Sequence, residues 1–196
     1  MRVLHVYKSY YPDSVGGVER SIKNIIDGLK DKGIKSNLLT THQKKKIPNQ
    51  FSFKKNFQIF RTPFSLGFFL NFKSITNNFD IIHYHHPWPF MDLVHLIHNI
   101  KKISIVTYHS DIVRQKKLNF LYRPIMNKFL SKVDKIVCSS ENYLKSSRVL
   151  KKFENKTLSI PFGIKKNDYK IKKKYSIFQK KIWFKFFYIC RIIKIL

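Results

Sequence analysis

Arg2-Val3-Leu4-His5-Val6-Tyr7, the loop Tyr11-Pro12-Asp13-Ser14-Val15-Gly16-Gly17, the run from Val18 to Gly33 and the run from Lys35 to Thr40 together decide the fold. The first is short and apolar with β-branched residues, so it reads as a strand. The second is loop chemistry that ends on a glycine pair. From Val18 onward, Ile22, Ile25, Ile26 and Leu29 recur at i, i+3, i+4 and i+7, which predicts a half-buried helix stopped near Gly33. Lys35 to Thr40 reads as a second strand. Strand, glycine loop, helix, strand is a βαβ unit, and it implies a parallel sheet.

The alternation continues downstream. Gln43 to Lys55 reads as a polar, lysine-rich loop, and Phe57 to Arg61 as a short strand ended by Thr62-Pro63. Phe64 to Phe72 is strongly aromatic and reads as a helix or an apolar loop. Strands are expected at Asp80 to His85, Ile103 to Tyr108, Lys135 to Cys138 and Lys156 to Ile160. Helices are expected near Phe90 to Asn99, after the Pro87-Trp88-Pro89 break, and near Phe120 to Leu130. Ser139 and Ser140 suit the N-cap of a further helix holding Tyr143, Leu144 and Leu150. This order predicts an α/β fold built on a doubly wound parallel sheet, with no internal repeat.

The chain of 196 residues is long enough for one α/β domain with an appendage and too short for two. A hydrophobic fraction of 43% argues against disorder for the bulk of it. The net charge of +28 attracts polyanions, whether nucleic acid, anionic membrane or phosphorylated substrate. The basic residues are spread along the chain, and joint abundance of Lys, Ile, Asn and Phe is also what biased base composition produces. A nucleic-acid-binding module is the rival class, but no helix-turn-helix, zinc finger or RNP motif supports it. Cys138 and Cys190 cannot build a disulfide framework, which favours a reducing cytosol. Neither a signal peptide nor a run of about 20 apolar residues is apparent, so a cytoplasmic protein, at most peripheral on the inner face of the membrane, is expected.

Doubly wound sheets bind ligands at the carboxyl ends of their strands, and three notable segments fall there. In Ser14-Val15-Gly16-Gly17-Val18-Glu19, glycine allows close backbone approach and the helix N-terminus favours phosphate, although a tight turn alone also needs glycine. Neither the dinucleotide fingerprint nor a P-loop is present, which counts against NAD enzymes and NTPases. In His83-Tyr84-His85-His86-Pro87, His83 and His85 share a strand face with no carboxylate or cysteine nearby in sequence, so lining or core histidines fit better than a metal site. In Thr107-Tyr108-His109-Ser110-Asp111, His109 is placed to act as a hydrogen-bond donor or as a base toward a substrate hydroxyl, with Asp111 close by. No G-x-S-x-G elbow points to acyl transfer.

Several motifs in order then resemble one family. Met1 to Tyr7 through Tyr11-Pro12-Asp13 and Gly16-Gly17-Val18-Glu19 resembles the opening of family 4 glycosyltransferases. The resemblance continues through Phe79 to His85, Val106 to Asp111, Val133 to Ser140 and Ile160 to Ile164. It implies a GT-B architecture of two Rossmann-like domains with the active site between them, of which residues 1–164 would form the first, acceptor-side domain. It also implies retaining transfer of a hexose, mannose being the candidate, from a nucleotide sugar to a lipid-linked or surface-polysaccharide acceptor, with no bound divalent metal required and no other cofactor. By resemblance, Gly16 and Gly17 lie near the donor diphosphate and His109 at the reaction centre. Glu19, His85, Ser110 and Asp111 complete the candidate donor- and acceptor-binding set.

The pattern breaks toward the end. Residues 165–181 read as an exposed basic linker, and residues 182–196 resemble the first strand of the family's donor domain, with Cys190 where glycine belongs. The donor-binding lysine and two glutamates of the family would come after Arg191. The expectation is therefore a truncated or frame-shifted enzyme, inactive alone, or one completed by a separate donor-domain chain. A non-catalytic acceptor-binding remnant is the alternative. The basic surface and the aromatic Phe64 to Phe72 segment suit docking on an anionic membrane.

Overall fold

The computed structural model describes residues 1–11, 13–41, 48–112 and 116–163, with the backbone alone for 116–119. The expected linker, the segment 182–196 with Cys190, and Ile164 lie outside the described residues. The main sheet has seven strands: β1 (Arg2–Val6), β2 (Lys35–Thr41), β3 (Gln50–Phe53), β6 (Ile81–His86), β7 (Ile103–Tyr108), β8 (Lys135–Cys138) and β9 (Thr157–Ser159). Their order is β3-β2-β1-β6-β7-β8-β9, and every neighbouring pair is parallel. The order reverses between β1 and β6, which makes their carboxyl ends the topological switch point. This is the doubly wound, Rossmann-like α/β sheet that the sequence predicts.

Side-chain alternation sorts the two faces. On one, Leu4, Val6, Ile82, Tyr84, Val106 and Ile136 pack under α2 (Leu66–Asn77), α3 (Pro89–His98) and α4 (Lys116–Lys132). Phe68, Phe72, Met91 and Phe129 fill that layer. On the other, Val3, Ile81, Ile105 and Val137 meet Ile25 and Leu29 of α1 (Gly17–Lys30). Burying each such aliphatic chain is worth roughly 1.5–3 kcal/mol against exposure, so the two layers set the register of the whole sheet.

Three elements depart from the sequence reading. Within the expected lysine-rich loop, Gln50 to Phe53 forms β3, an edge strand that pairs with β2 through its backbone and leaves Phe51 partly exposed. Phe57 to Arg61 does not join the main sheet: β4 (Phe57–Ile59) and β5 (Thr62–Phe64) form a separate antiparallel hairpin. Every residue of β4 is exposed, so a place in a covered parallel sheet was closed to it. The third departure is the helix expected to hold both Tyr143 and Leu150. It breaks at Ser147 into α5 (Glu141–Ser146) and a 3-10 helix (Leu150–Lys156). The Ser147 hydroxyl accepts from Leu150 N and donates to Asp111, and such side-chain bonds compete with helix continuation. Ser140 caps α5 as expected, accepting from Tyr143 N.

The aromatic stretch resolves as helix. Ser65 is the N-cap of α2, accepting from Phe68 N, and Phe68 and Phe72 point into the core rather than toward a partner. The exposed apolar residues of this region are instead Phe57, Ile59 and Phe60 on the hairpin, with Leu66 and Leu70 on the outer side of α2.

Candidate active site

The loop from Ser9 to Gly17 joins β1 to α1 at the carboxyl edge of the sheet. Glu19 folds back over the start of α1, and one of its carboxylate oxygens accepts from Ser9 Oγ at 2.8 Å and from Ser14 Oγ at 2.7 Å. Glu19 is buried there, so its first role is to shape the loop. A Cβ on Gly16 would stand 2.4 Å from the other Glu19 oxygen, so a side chain there would push the Glu19 carboxylate aside. Gly17 is different, because a Cβ there would meet nothing within 4 Å. Neither glycine has the positive φ that turn shape would demand. The open face at Gly17, at the N-terminus of a 14-residue helix, is a surface on which an anion can approach backbone N–H groups.

The histidines lie on the sheet face covered by α1. His5 pairs in register with His83, and His85 with Thr107. The rings stack: His83 and His85 have centroids 4.4 Å apart, and His85 and His109 5.5 Å apart. His5 Nδ1 lies 3.2 Å from His85 Nε2, and His85 Nδ1 lies 3.3 Å from His109 Nε2. His83 Nε2 lies 2.7 Å from Thr107 Oγ1. Burial pushes His5 down to about 3 and holds His83 and His85 well below the ordinary imidazole range, aided by the neighbouring rings. His109 is half-buried at the edge, and burial, with the His86 ring, pushes it down to about 3. All four are neutral at pH 7.

Nitrogens of His5, His83 and His85 lie within 4.8 Å of one another. A tetrahedral zinc site, with Zn–N near 2.0–2.1 Å, brings its nitrogens to about 3.4 Å. His85 already spends both nitrogens on His5 and His109, and His83 spends Nε2 on Thr107. Stacked rings also do not converge on one point. An ion taking His85 would compete with its contacts to His5 and His109, while His5 Nε2 and His83 Nδ1 have no hydrogen-bond partner among the described residues.

Asp111 does not orient His109. Its carboxylate accepts from Tyr108 Oη at 2.8 Å and from Ser147 Oγ at 3.0 Å, which anchors the loop after β7 to the break between the last two helices. Ser110 is exposed. His109 is instead held by His85 from behind and by Phe162, whose ring centroid is 5.0 Å away. The chain after β9 thus returns across the carboxyl edge, fixed by Asn24 Nδ2 donating to Gly163 O at 3.0 Å.

The opposite face carries a second buried polar group. His86 Nε2 lies 3.0 Å from Tyr122 Oη, Tyr122 donates to Asp92, and the Tyr108 ring stacks on His86 at 4.7 Å. Burial pushes the Asp92 carboxyl up, against the pull of His86. This cluster ties α3 and α4 to the end of β6.

His5 and Thr107 were not singled out from the sequence as site residues. Period-2 alternation was the available signal, since it puts Val3 and His5 on one face of β1 and leaves the pairing with β6 to decide the rest. The strands β1 and β7, whose following loops lead to Gly16-Gly17 and to His109, lie two apart, about 10 Å across the sheet at a strand spacing of 4.7–4.9 Å.

Comparison with known proteins adds to this geometry. A sequence profile described as Glycosyltransferase Family 4 matches residues 15–165. The chain is 46% identical over 175 residues to O-antigen chain mannosyltransferase C of Escherichia coli, covering 86% of this chain and 47% of that protein. It is 41% identical over 176 residues to D-rhamnosyltransferase WbpZ of Pseudomonas aeruginosa, covering 86% and 46%. The chain thus spans about half the length of the curated relatives it matches. Among solved structures, Anabaena HepE in complex with UDP matches with a TM-score of 0.60 at 12% identity, over 93% of this chain and 50% of that one. Sucrose-phosphate synthase from Thermosynechococcus elongatus matches at 0.56 with 16% identity, over 83% and 48%. Identities this low show a shared fold.

Proposed function

Because this chain belongs to glycosyltransferase family 4, we propose that it serves retaining transfer of a hexose, with mannose the first candidate, from a nucleotide sugar to a lipid-linked or surface-polysaccharide acceptor. The observation that carries the reading is two features on the carboxyl side of the sheet: an unobstructed glycine at the start of α1, after β1 at the switch point, and His109 after β7, two strands away. In this reading the donor diphosphate approaches Gly16 and Gly17, where α1 N–H groups stabilise the charge that develops as the glycosidic bond breaks. Glu19 keeps the loop open through Ser9 and Ser14. His109 stands beside the transferred sugar, Ser110 is free to meet substrate, and Asp111 and His85 hold the loop and the imidazole. The transfer requires no bound divalent metal. Incubating the protein, completed by a separately supplied donor-side half of a family 4 enzyme, with a panel of labelled nucleotide hexoses and acceptor-bearing membranes tests the reading. Incorporation from one donor supports it, and none from any donor removes it.

The acceptor side also fits a membrane. The β4–β5 hairpin touches both edges of the switch point: Lys8, just after β1, donates to Arg61 O at 3.3 Å, and Trp88, just after β6, donates to Pro63 O at 3.2 Å. Phe57, Ile59 and Phe60 stand exposed on it, at 56%, 50% and 62%. Phe60 adopts φ of 50°, a left-handed conformation that an aromatic side chain rarely accepts. Lys54, Lys55 and Arg61 flank them in sequence, and Lys55 Nζ donates to Gln58 Oε1 at 3.0 Å. Apolar side chains within a basic rim suit the inner face of an anionic bilayer, next to a lipid-anchored acceptor. Flotation with anionic liposomes should retain the protein, and F57S/I59S/F60S should release it. Equal flotation of both proteins would exclude the hairpin.

A further inference from the structure

The row of imidazoles behind His109 determines which of its nitrogens carries the proton. A neutral imidazole has one N–H and one lone pair. His85 uses both nitrogens in the row, so it donates at one end and accepts at the other. Two arrangements satisfy both contacts. In the first, His5 Nδ1–H donates to His85 Nε2, His85 Nδ1–H donates to His109 Nε2, and His109 keeps its own proton on Nδ1. In the second every bond reverses. His109 Nε2–H then donates to His85, and Nδ1 of His109 is a free lone pair able to act as a base.

The far end of the row separates the two. His5 Nε2 is buried and has no hydrogen-bond partner among the described residues. The second arrangement places an N–H there with no protein partner among the described residues. The first leaves only an unused lone pair. A buried orphan donor is the rarer and costlier of the two defects in folded proteins. His83 does not relieve it: its Nε2 is taken by Thr107, and its Nδ1 has no hydrogen-bond partner among the described residues.

We infer that His85 and His5 are positioning residues that hold His109 as the Nδ1–H tautomer, so that this side chain meets a ligand as a neutral hydrogen-bond donor and not as a base. The inference goes beyond the proposed function, although its catalytic meaning rests on that reading. The tautomer itself is a property of the free protein. Depressed proton affinity along the row supports it, since a neutral chain of one-way donors is stable only where no ring takes a second proton. Of the two roles open to His109 from the sequence, only that of donor survives.

Long-range 1H–15N correlation on the 15N-histidine-labelled protein at pH 7.5 reads the tautomer directly. His109 should show a protonated Nδ1 and a bare Nε2. His85→Asn, whose amide nitrogen takes the place of Nδ1 as donor, should preserve that pattern, whereas His85→Phe should move His109 toward the Nε2–H form favoured by free histidine. A protonated Nε2 in the wild type, or an unchanged pattern in His85→Phe, overturns the inference. The wild-type spectrum decides even where a variant does not fold. In transfer assays His109→Asn, which keeps a donor at the Nδ1 position, should retain at least about tenfold more activity than His109→Ala, and equal losses would refute the donor role. Spectra as expected with no transfer from any donor would remove the proposed function and leave the tautomer standing.

Discussion

Acidification should unfold this protein early, because its histidines are neutral inside and become cations once released. His5 and His109 are pushed down to about 3, and His95 to about 4, in each case first by burial. Unfolded, each would titrate near 6.5. Above that value both states are neutral and nothing is lost. As pH falls below it, the unfolded chain takes up protons that the folded one refuses, so stability declines until the folded pKa is reached. Each group contributes about 1.4 kcal/mol per pH unit in that window. The three together remove about 4 kcal/mol by pH 5.5 and about 8 kcal/mol by pH 4.5. His83 and His85, also lowered by burial, act in the same direction, while Asp92, raised by burial, opposes with one proton. Against a domain stability of roughly 5–15 kcal/mol, cooperative unfolding is expected near pH 5. Urea denaturation followed by far-UV circular dichroism from pH 7.5 to 5.5 measures the slope, and His5→Leu should reduce it by about one proton. A free energy constant within 1 kcal/mol over that range would refute the reasoning.

Other expectations concern single side chains. Glu19→Ala strips two hydroxyls of their shared carboxylate, which should cost roughly 2–4 kcal/mol and lower the melting temperature by about 5–15 °C in calorimetry. Gly17→Ala meets no protein atom, so its melting temperature should match the wild type within about 2 °C while nucleotide-sugar affinity falls in titration calorimetry. Trp88→Ala empties a fully buried site against Phe68 and Phe90 and frees Pro63 O, so it should cost about 3–5 kcal/mol in urea denaturation.

Much of the architecture is legible in the sequence because it rests on periodicity. The helical spacing of Ile22, Ile25 and Leu29 between two short apolar runs identifies α1 and the parallel pairing of β1 with β2. Strand β3 is hidden because an edge strand is held by its backbone, which leaves Gln50 and Ser52 as polar as any loop. The hairpin is misread because Pro63 looks like a strand terminator, whereas in a two-stranded ribbon it sits where no ladder N–H is needed. The site divides in the same way. Gly16-Gly17 and His109 stand at predicted strand ends and are found by position. His5 is found only by pairing, since a histidine within an apolar strand gives no sign of which strand lies beside it. Asp111 shows the converse limit: proximity in sequence suggests a partner for His109, but the hydroxyls of Tyr108 and Ser147 claim its carboxylate.

The most direct test of the account is the rate at which His109→Ala, completed by the same donor-side half, transfers hexose from the nucleotide sugar that the wild-type protein uses, with circular dichroism showing the fold retained. If the carboxyl edge around His109 is the reaction centre, the rate falls at least about 100-fold, close to the loss of one preorganised polar contact to a transition state. A rate within twofold of the wild type would contradict it.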